Sequence, residues 1–289
     1  MSIIKKIVVV FITLSFLSIS FFTNPTSTYA ANKVYTVTAN KLNVRSGPST
    51  SYKLIGSVKK GQLLMVIKKH SNGWYKIKFK KSSGFISGKY VTAEFTNVKS
   101  LDKSIIVDLK YNTTNNFTGK RIYNFSQAIL RTSTAKMLAK ANVILKEQGY
   151  TIKVWDAYRP LSAQQTLWNA YPNSNYVAKP DPKNIRGHQL GATVDITICT
   201  LDGKEVQMQS KFDDFSSRAS RSYKRSSEQE KNYQIMDKAM RQVGFVGYSK
   251  EWWHYSDNNQ NFKAIKVSFF IKIYILFKIE LSLFCPMNG

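Results

Sequence analysis

The strongest constraint on the fold is a short segment in which apolar residues alternate with polar ones. Val194, Ile196 and Ile198 would lie on one face of an extended strand, which leaves Asp195 and Thr197 on the other face. A strand with this pattern is half buried, because its apolar face packs against a core. The fold is therefore expected to contain a half-buried strand at this position, with the carboxylate of Asp195 pointing away from the core and available to bind another group.

Two histidines and a glutamate accompany this aspartate and supply the atom types of a zinc site. His188 precedes Asp195 by seven residues, and Glu251 and His254 follow much later in the chain. Histidine nitrogens and carboxylate oxygens are ligands that Zn²⁺ prefers, and a catalytic zinc site uses three of them beside an open position. We predict that His188, Asp195 and His254 bind one zinc ion and that Glu251 is the general base. Glu251 and His254 can both face the ion only if the chain turns between them.

The spacing of these residues resembles that of a known family. The patterns His-x-x-Gly-x-x-x-Asp and Glu-x-x-His are similar to those of the zinc D-Ala-D-Ala metallopeptidases, which include the vancomycin-resistance D,D-dipeptidases and the D,D-carboxypeptidases. Further segments fall in the order of the dipeptidase branch, at residues 111–119, 155–160 and 212–215. The resemblance covers roughly residues 105–262.

The resemblance implies a reaction and assigns roles to further residues. It implies a zinc-dependent dipeptidase that hydrolyses D-Ala-D-Ala, with Glu251 passing a proton from water to the departing amine. Arg159 would be the second catalytic residue and would stabilise the tetrahedral oxyanion. Asp213 matches the family's carboxylate that receives the free ammonium group of the dipeptide, and Tyr111 would line the substrate pocket.

The chain departs from the family's pattern at two places where the ends of a substrate would bind. Arg186 stands where these dipeptidases usually carry serine, and residues 208–211 lack a Gly-Thr pair often found there. Two alternatives therefore stay open. One is a peptidoglycan D,D-carboxypeptidase or endopeptidase that uses the same metal on longer stem peptides. The other is a non-catalytic wall-binding protein whose larger domain is inert.

Residues 1–30 have the three-part layout of a secretory signal peptide. Lys5 and Lys6 precede an apolar run at residues 7–22, and small residues end the segment near Ala30. Cleavage is favoured over an uncleaved anchor because the apolar run is shorter than the ~20 residues of a spanning helix. The mature protein is therefore predicted to be secreted and associated with the cell wall.

Residues 33–95 are predicted to form a small all-β barrel. Short β-rich runs alternate with turn signals, and residues 42–49 and 73–77 resemble the bacterial SH3 module, which in secreted hydrolases usually binds the wall. The whole chain has 43 basic and 17 acidic residues, a formal charge of +26. This charge favours teichoic acid, anionic lipid or nucleic acid without choosing among them. Because no nucleic-acid motif accompanies it, we expect a cell-wall polymer as the partner and no nucleic acid.

The larger domain, residues 105–262, is predicted to be an α+β catalytic domain with an antiparallel sheet and flanking helices. Helical periodicity appears after residue 132 and again at residues 161–171. A third helix is predicted to begin at a capping box of Ser227 and Glu230. Residues 96–104 are predicted to be a linker between the two domains.

The strand that carries Asp195 is predicted to pair with the segment that follows it. The dipeptide Asp202-Gly203 is a hairpin signal, and residues 204–208 are predicted to be the second strand. An antiparallel hairpin of this kind would hold the carboxylate of Asp195 rigidly.

The last residues, 263–289, differ in character from the rest of the chain. They are apolar but contain Lys272, Lys278 and Glu280, and a charge near the centre of a bilayer costs roughly 2.5 to 3.5 kcal/mol. The segment is a poor membrane anchor, an extra strand, or a reading of DNA past the true end of the protein. We favour the third because the family resemblance ends near residue 262. The sequence indicates no oligomeric state.

Overall fold

The computed structural model describes residues 34–259 and residue 262. The predicted signal peptide and the apolar tail lie outside the described residues. Two hydrophobic cores divide the described chain, one built from residues 35–86 and the other from residues 95–255. None of the described helices has both the length and the apolar character needed to cross a membrane.

The first module is an antiparallel sheet of seven strands. They are β1 (Val34–Val37), β2 (Lys41–Arg45), β3 (Leu54–Lys59), β4 (Leu63–Lys69), β5 (Trp74–Phe79), β6 (Ser82–Ser87) and β7 (Val91–Ala93). The order in the sheet is β3-β2-β6-β5-β4-β1-β7. Side chains alternate, as in β2, where Leu42 and Val44 are buried and Lys41 and Asn43 are exposed. The all-β prediction is confirmed, although the two outermost of these strands do not pair to close a barrel.

The second module is built around a five-stranded sheet. Its elements are β8 (Phe95–Asn97), β9 (Ile106–Val107), β10 (Ile129–Arg131), α1 (Thr132–Lys146), β11 (Tyr150–Asp156), α2 (Leu161–Ala170), β12 (Thr193–Thr200), α3 (Ser227–Gln242), β13 (Phe245–Gly247) and β14 (His254–Asp257). The sheet order is β13-β14-β12-β11-β9, and only the pair of β9 and β11 is parallel. Helices α1 and α3 contact each other and the sheet. The predicted α+β architecture is confirmed.

Helices α1 and α3 cover the core with the apolar faces that the sequence predicts. In α1, Leu138, Ala141 and Leu145 are fully buried. Helix α3 begins with a capping box of Ser226 and Gln229, in which each side chain binds the backbone N–H of the other residue. This cap lies one residue before the predicted one, and the helix buries Met236, Ala239 and Met240.

Residues 96–104 differ from the predicted linker. Strand β8 pairs with β10, and Val98 is fully buried in the core of the second module. Asp102 forms a salt bridge with Lys146 at 2.8 Å and accepts a hydrogen bond from Asn142 at 2.9 Å. A segment with a paired strand and a buried side chain is part of a folded domain. The first module therefore joins the second without a flexible spacer.

A buried ion pair lies at the junction of the two modules. The carboxylate of Glu94 contacts the hydroxyl of Thr36 in β1 and the guanidinium of Arg131 in β10. Arg131 Nε donates to the carbonyl of Leu190 at 2.6 Å, and its backbone N–H donates to the carbonyl of Gly191 at 2.8 Å. Because a buried cation needs a compensating charge, this pair ties the first module to the chain segment around residue 190.

The predicted hairpin at Asp202-Gly203 forms, but it is short. One isolated antiparallel bridge joins Cys199 to Glu205, and the backbone N–H groups of Thr200 and Val206 donate to the carbonyls of Lys204 and Ile198 at 2.9 and 3.2 Å. Strand β12 pairs along its length with β11 and at its start with β14. Asp195 lies near the start of β12, so it is held between two strands that are distant in sequence rather than by the hairpin.

Candidate metal centre

Three neighbouring strands each bring one polar residue to the same level of the sheet. Asp195 in the central strand β12 lies opposite His254 of β14 on one side and opposite Asp156 of β11 on the other. A β-bulge in β11 between Val154 and Asp156 shifts the register there. Directly opposite residues have Cβ atoms about 4.5–5.5 Å apart. Strand pairing alone therefore groups two predicted ligands with a further carboxylate.

His188 reaches the same place from a short helical turn, Gly187–Leu190, just before β12. The turn ends at Gly191, whose φ of 71° lies in the left-handed region. A Cβ atom at that position would lie 2.7 Å from Cε1 of Phe95. Both the backbone conformation and the available space therefore require glycine. This glycine lets the chain turn sharply from His188 into the strand that carries Asp195.

The three predicted ligands converge. The candidate ligand atoms of His188, Asp195 and His254 all lie within 4.8 Å of one another. His254 Nδ1 is 3.0 Å from Asp195 Oδ1, and His188 Nε2 is 3.3 Å from Asp195 Oδ2. The centroids of the two imidazole rings are 5.2 Å apart. This spacing matches a set of side chains that share one ion.

The hydrogen bonds of these side chains fit a cation between them. His188 Nδ1 lies 2.7 Å from the carbonyl oxygen of Ala157, which assigns the ring proton to Nδ1 and leaves the lone pair of Nε2 free. That Nε2 and the Oδ1 of Asp195 are both buried, and neither forms a well-aligned hydrogen bond, although Asp195 Oδ1 lies 3.0 Å from His254 Nδ1. A buried polar atom without such a bond is costly. Two such atoms on converging side chains are therefore well explained by a bound metal ion.

Glu251 lies beside the ligands because the chain turns just before β14, as its spacing from His254 requires. The backbone N–H of His254 bonds to the carbonyl of Glu251 at 3.4 Å, and the two tryptophans between them form the turn. Glu251 Oε2 is 3.4 Å from His254 Nδ1. Burial raises the pKa of the Glu251 carboxyl, and the charges of Asp195 and Asp213 raise it further. A carboxyl in such surroundings is suited to proton transfer.

Arg159 is a fixed cation at the edge of the metal centre. Its Nε and Nη2 lie 2.8 and 2.6 Å from Asp156 Oδ2, and Nη1 donates to Gln164 Oε1 at 2.8 Å. Nη2 is also 3.8 Å from Asp195 Oδ2. Burial lowers the pKa of Arg159, but the charges of Asp156 and Asp195, the Tyr111 hydroxyl and the hydrogen bond to Asp156 together outweigh burial and hold that pKa above its usual value. The guanidinium therefore stays charged beside the candidate metal ligands.

Tyr111 links Asp213 to this cation. The Tyr111 hydroxyl is 3.1 Å from both carboxylate oxygens of Asp213, and its ring centroid lies 4.9 Å from Arg159 Cζ. Burial raises the pKa of Asp213 to about 8, and the charge of Asp195 acts in the same direction. Asp213 also has a φ of 58°, a conformation that is unfavourable for a residue other than glycine. All of the residues predicted for the site lie in one connected group.

Sequence reasoning missed three residues that support the site. Asp156 is fully buried beneath Arg159, and its Oδ1 accepts a hydrogen bond from the Tyr123 hydroxyl at 2.7 Å. Gln164 in α2 accepts from Arg159 and donates to the carbonyl of Ala178 at 2.7 Å. Asp156 could have been found from its opposite charge three residues before Arg159, at the end of a run in which Tyr150, Ile152 and Val154 alternate with other residues. Tyr123 and Gln164 carry no local signal.

Comparison with known proteins agrees with this geometry. Residues 91–272 match the family model described as D-ala-D-ala dipeptidase, and residues 40–92 match the bacterial SH3 domain. The D-alanyl-D-alanine dipeptidase of Escherichia coli is 32% identical over 166 residues, which are 57% of this chain and 84% of that protein. The D-alanyl-D-alanine dipeptidase of Enterococcus faecium is 31% identical over 181 residues, covering 56% of this chain and 90% of that protein.

A shorter similarity is to a protein that is named as an endopeptidase. The "Probable endopeptidase p60" of Listeria innocua is 34% identical over 70 residues, which are 24% of this chain and 15% of that protein. The match to the dipeptidase family, in contrast, extends over most of the chain. This chain belongs to the D-ala-D-ala dipeptidase family of peptidases, and a bacterial SH3 domain precedes its enzyme domain.

Proposed function

We propose that this protein is a secreted zinc dipeptidase that hydrolyses D-Ala-D-Ala at the cell wall. The observation that carries the proposal is the pair of buried ligand atoms on His188 and Asp195 that form no well-aligned hydrogen bond, beside a buried glutamate and a buried arginine. These are the groups that metal-assisted hydrolysis of an amide needs. Membership of the family supports the substrate class, since the relatives are named D-alanyl-D-alanine dipeptidases.

Glu251 is the proposed acid and base of the reaction. Zinc held by His188, Asp195 and His254 supplies Lewis-acid activation of water and of the scissile carbonyl. Glu251 takes the proton of the attacking water and returns it to the departing amine. Its buried position and raised pKa suit both transfers, because the carboxyl can be charged in one step and neutral in the next.

Arg159 is proposed to stabilise the negative charge that collects on the carbonyl oxygen. Asp156 and Gln164 hold its guanidinium, so the cation needs little reorganisation as this charge develops. Arginine suits the role because its guanidinium does not lose its proton. A preorganised cation of this kind contributes on the order of 3 kcal/mol.

Asp213 is proposed to receive the free ammonium group of the substrate. Burial and nearby acids disfavour the charged form of this carboxyl, which is why its pKa is raised. An ammonium group would supply the missing positive charge, and Tyr111 would orient the carboxylate through its hydroxyl. Such a contact selects peptides with an unblocked N-terminus, and therefore a dipeptide over a longer chain.

Product analysis with matched substrates tests this proposal. We expect hydrolysis of free D-Ala-D-Ala and almost none of N-acetylated D-Ala-D-Ala or of a pentapeptide stem. Asp213→Asn should lower kcat/KM for the free dipeptide by about 10- to 100-fold, because one charge-assisted contact is lost. Asp214→Asn is the matched control, since Asp214 is bonded to Arg218 at 2.9 Å, and we expect it to leave kcat/KM unchanged.

The second candidate is a D,D-carboxypeptidase or endopeptidase that acts on stem peptides. A groove of about 710 Å³ adjoins Asp213 and is lined by Ser210, Trp155 and Trp252 among others. It offers room for a substrate that extends beyond this carboxylate. Faster cleavage of the pentapeptide stem than of the free dipeptide, unaffected by Asp213→Asn, would reject the dipeptidase and favour this alternative.

The first module is proposed to bind a polyanionic wall polymer. Residues 34–93 contain eleven lysines, one arginine and no acidic residue, and almost all of these lysines are exposed. The next acid, Glu94, is paired with Arg131. The module therefore presents a positive field that neighbouring carboxylates do not cancel, and salt should weaken its attraction to anions.

Sedimentation of the full chain with purified cell walls tests this partner. We expect binding to fall steeply from low to high salt and to fall again after the anionic polymers are extracted from the walls. Replacing Lys80 and Lys81 by glutamate should weaken binding. The same charge change at Lys136 and Lys140 in α1 is the control and should not. Salt-independent binding, or equal losses in the two variants, would contradict a specific role of the first module.

A further inference from the structure

One arginine outside every motif holds the turn that carries the base and a metal ligand. Arg221 lies before α3, and its side chain donates to three backbone carbonyls of the segment 248–254. Nε donates to the carbonyl of Tyr248 at 3.0 Å, and Nη2 donates to those of Trp252 and His254, each at 3.1 Å. These carbonyls lie on both sides of Glu251 in the sequence. One planar group therefore fixes the path of the chain through this turn.

The guanidinium itself is held from the opposite side. Nη1 donates to Asp237 Oδ1 at 2.6 Å and to the Tyr233 hydroxyl at 3.1 Å, and Cζ lies 4.3 Å from the ring centroid of Tyr255. Asp237 also accepts from Arg241 Nε at 2.6 Å. The position of Arg221 is thus set by helix α3 and strand β14, and its charge is compensated by Asp237.

Gly247 leaves the space that the guanidinium of Arg221 occupies next to the 248–254 turn. A Cβ atom at residue 247 would lie 2.0 Å from Cζ of Arg221, a distance at which the two groups overlap. Residue 247 does not have the positive φ that favours glycine at other positions. The absence of a side chain here therefore serves the close approach of Arg221 rather than an unusual backbone conformation.

We propose that Arg221 is a positioning residue, which fixes the 248–254 turn so that Glu251 and His254 meet the metal ion together. This inference goes beyond the proposed function. It rests on the proposed function in one respect, namely that the metal ion is zinc. Arginine is suited to this role because it presents five N–H donors in one rigid plane. Lysine keeps the positive charge but has three donors on a flexible stem, so it cannot hold three carbonyls and Asp237 at once.

Arg221→Lys therefore separates positioning from charge. We expect the zinc Kd, measured by competition with a chromogenic chelator, to rise by about 10- to 100-fold, the range found when groups that orient metal ligands are removed. At saturating zinc, kcat should fall at least about 10-fold while KM changes less, because Arg159 and Asp213 are untouched. Arg241→Lys is the matched control: it shares Asp237 but contacts no carbonyl of the turn, and both quantities should stay at wild-type values.

Gly247→Ala provides a second test if Arg221→Lys does not fold. It leaves the side chains of Arg221, Asp237 and Arg241 chemically unchanged and displaces only the guanidinium of Arg221, so the zinc Kd should again rise. A zinc Kd and a kcat equal to those of Arg241→Lys in both variants would overturn the proposal. The zinc titration needs no substrate, so a wild type that binds zinc without cleaving D-Ala-D-Ala would reject the proposed function and still test Arg221. A wild type that binds no zinc would overturn both.

Discussion

Glu251→Gln is expected to lower kcat for D-Ala-D-Ala by about 10²–10⁴-fold and to leave the zinc content unchanged. The amide has nearly the shape of the carboxylate but cannot accept the proton of the attacking water. The proposed ligand set of His188, Asp195 and His254 does not include Glu251, so zinc should stay bound. Steady-state kinetics and metal analysis of the same preparation measure the two effects. Glu251→Ala should likewise abolish turnover and retain zinc.

A surface glutamate provides the control for this substitution. Glu205 contacts Lys153 at 3.1 Å, and Glu205→Gln should leave kcat and zinc content at wild-type values. Full activity in Glu251→Gln would show that another group transfers the proton. Loss of zinc would show that Glu251 is a ligand. A wild type with neither zinc nor peptidase activity would support the non-catalytic alternative.

The second large effect is expected on removal of the metal. His188→Ala should remove stoichiometric zinc binding and all measurable hydrolysis, as a chelator should in the wild type. The proposed zinc ion would bind only the folded state, so at 100 times its Kd it should stabilise the wild type by about 2.7 kcal/mol, whereas the melting temperature of His188→Ala should not respond to zinc. His70→Ala, a histidine in the first module, is the control and should behave as wild type. Full-rate hydrolysis by metal-free wild type would end the case for a zinc enzyme.

The chelated protein should also respond to pH in a defined direction. The pKa of Asp213 is raised from 3.8 to about 8 in the folded chain, chiefly by burial. Between these two values the unfolded chain releases the proton and the folded chain keeps it, so stability falls as pH rises from about 4 to about 8. Asp213→Asn should remove this part of the pH dependence. Thermal unfolding of both chelated proteins across that range measures the difference.

The convergence of the three candidate ligands could be predicted because local sequence patterns mark each of them. Alternation identified the strand of Asp195, and spacing identified His188 and His254 before any fold was known. The linker was not predicted correctly, and the hairpin is too short to hold Asp195, because the structure of both regions depends on distant partners. Val98 and Leu101 are the two apolar residues of a polar stretch, and only the pairing of β8 with β10 shows that Val98 is buried whereas Leu101 is exposed.

Arg221 shows a second limit of sequence reasoning. Arg221 is one of 43 basic residues in the chain, and nothing in the sequence distinguishes it from the others. Its partners are mainly backbone carbonyls, which have no signature in the sequence. Gly247 and Asp237 have identities that reflect the contact, but a glycine in a short strand and an aspartate on a helix each have several explanations.

The ion pair of Glu94 and Arg131 has a consequence for where cleavage can occur. A hydrolase domain that is joined to its binding module by a flexible linker samples many positions and orientations, so it can reach peptides that are themselves immobile. Here strand β8 follows the first module directly, and Arg131 binds both Glu94 and the carbonyl of Leu190, two residues after His188. If the first module is bound to a surface, the position and orientation of the candidate metal centre relative to that surface are therefore also fixed. An enzyme held in a fixed orientation acts on substrates that diffuse to it. This arrangement suits a small soluble dipeptide better than a peptide that is covalently fixed in the peptidoglycan.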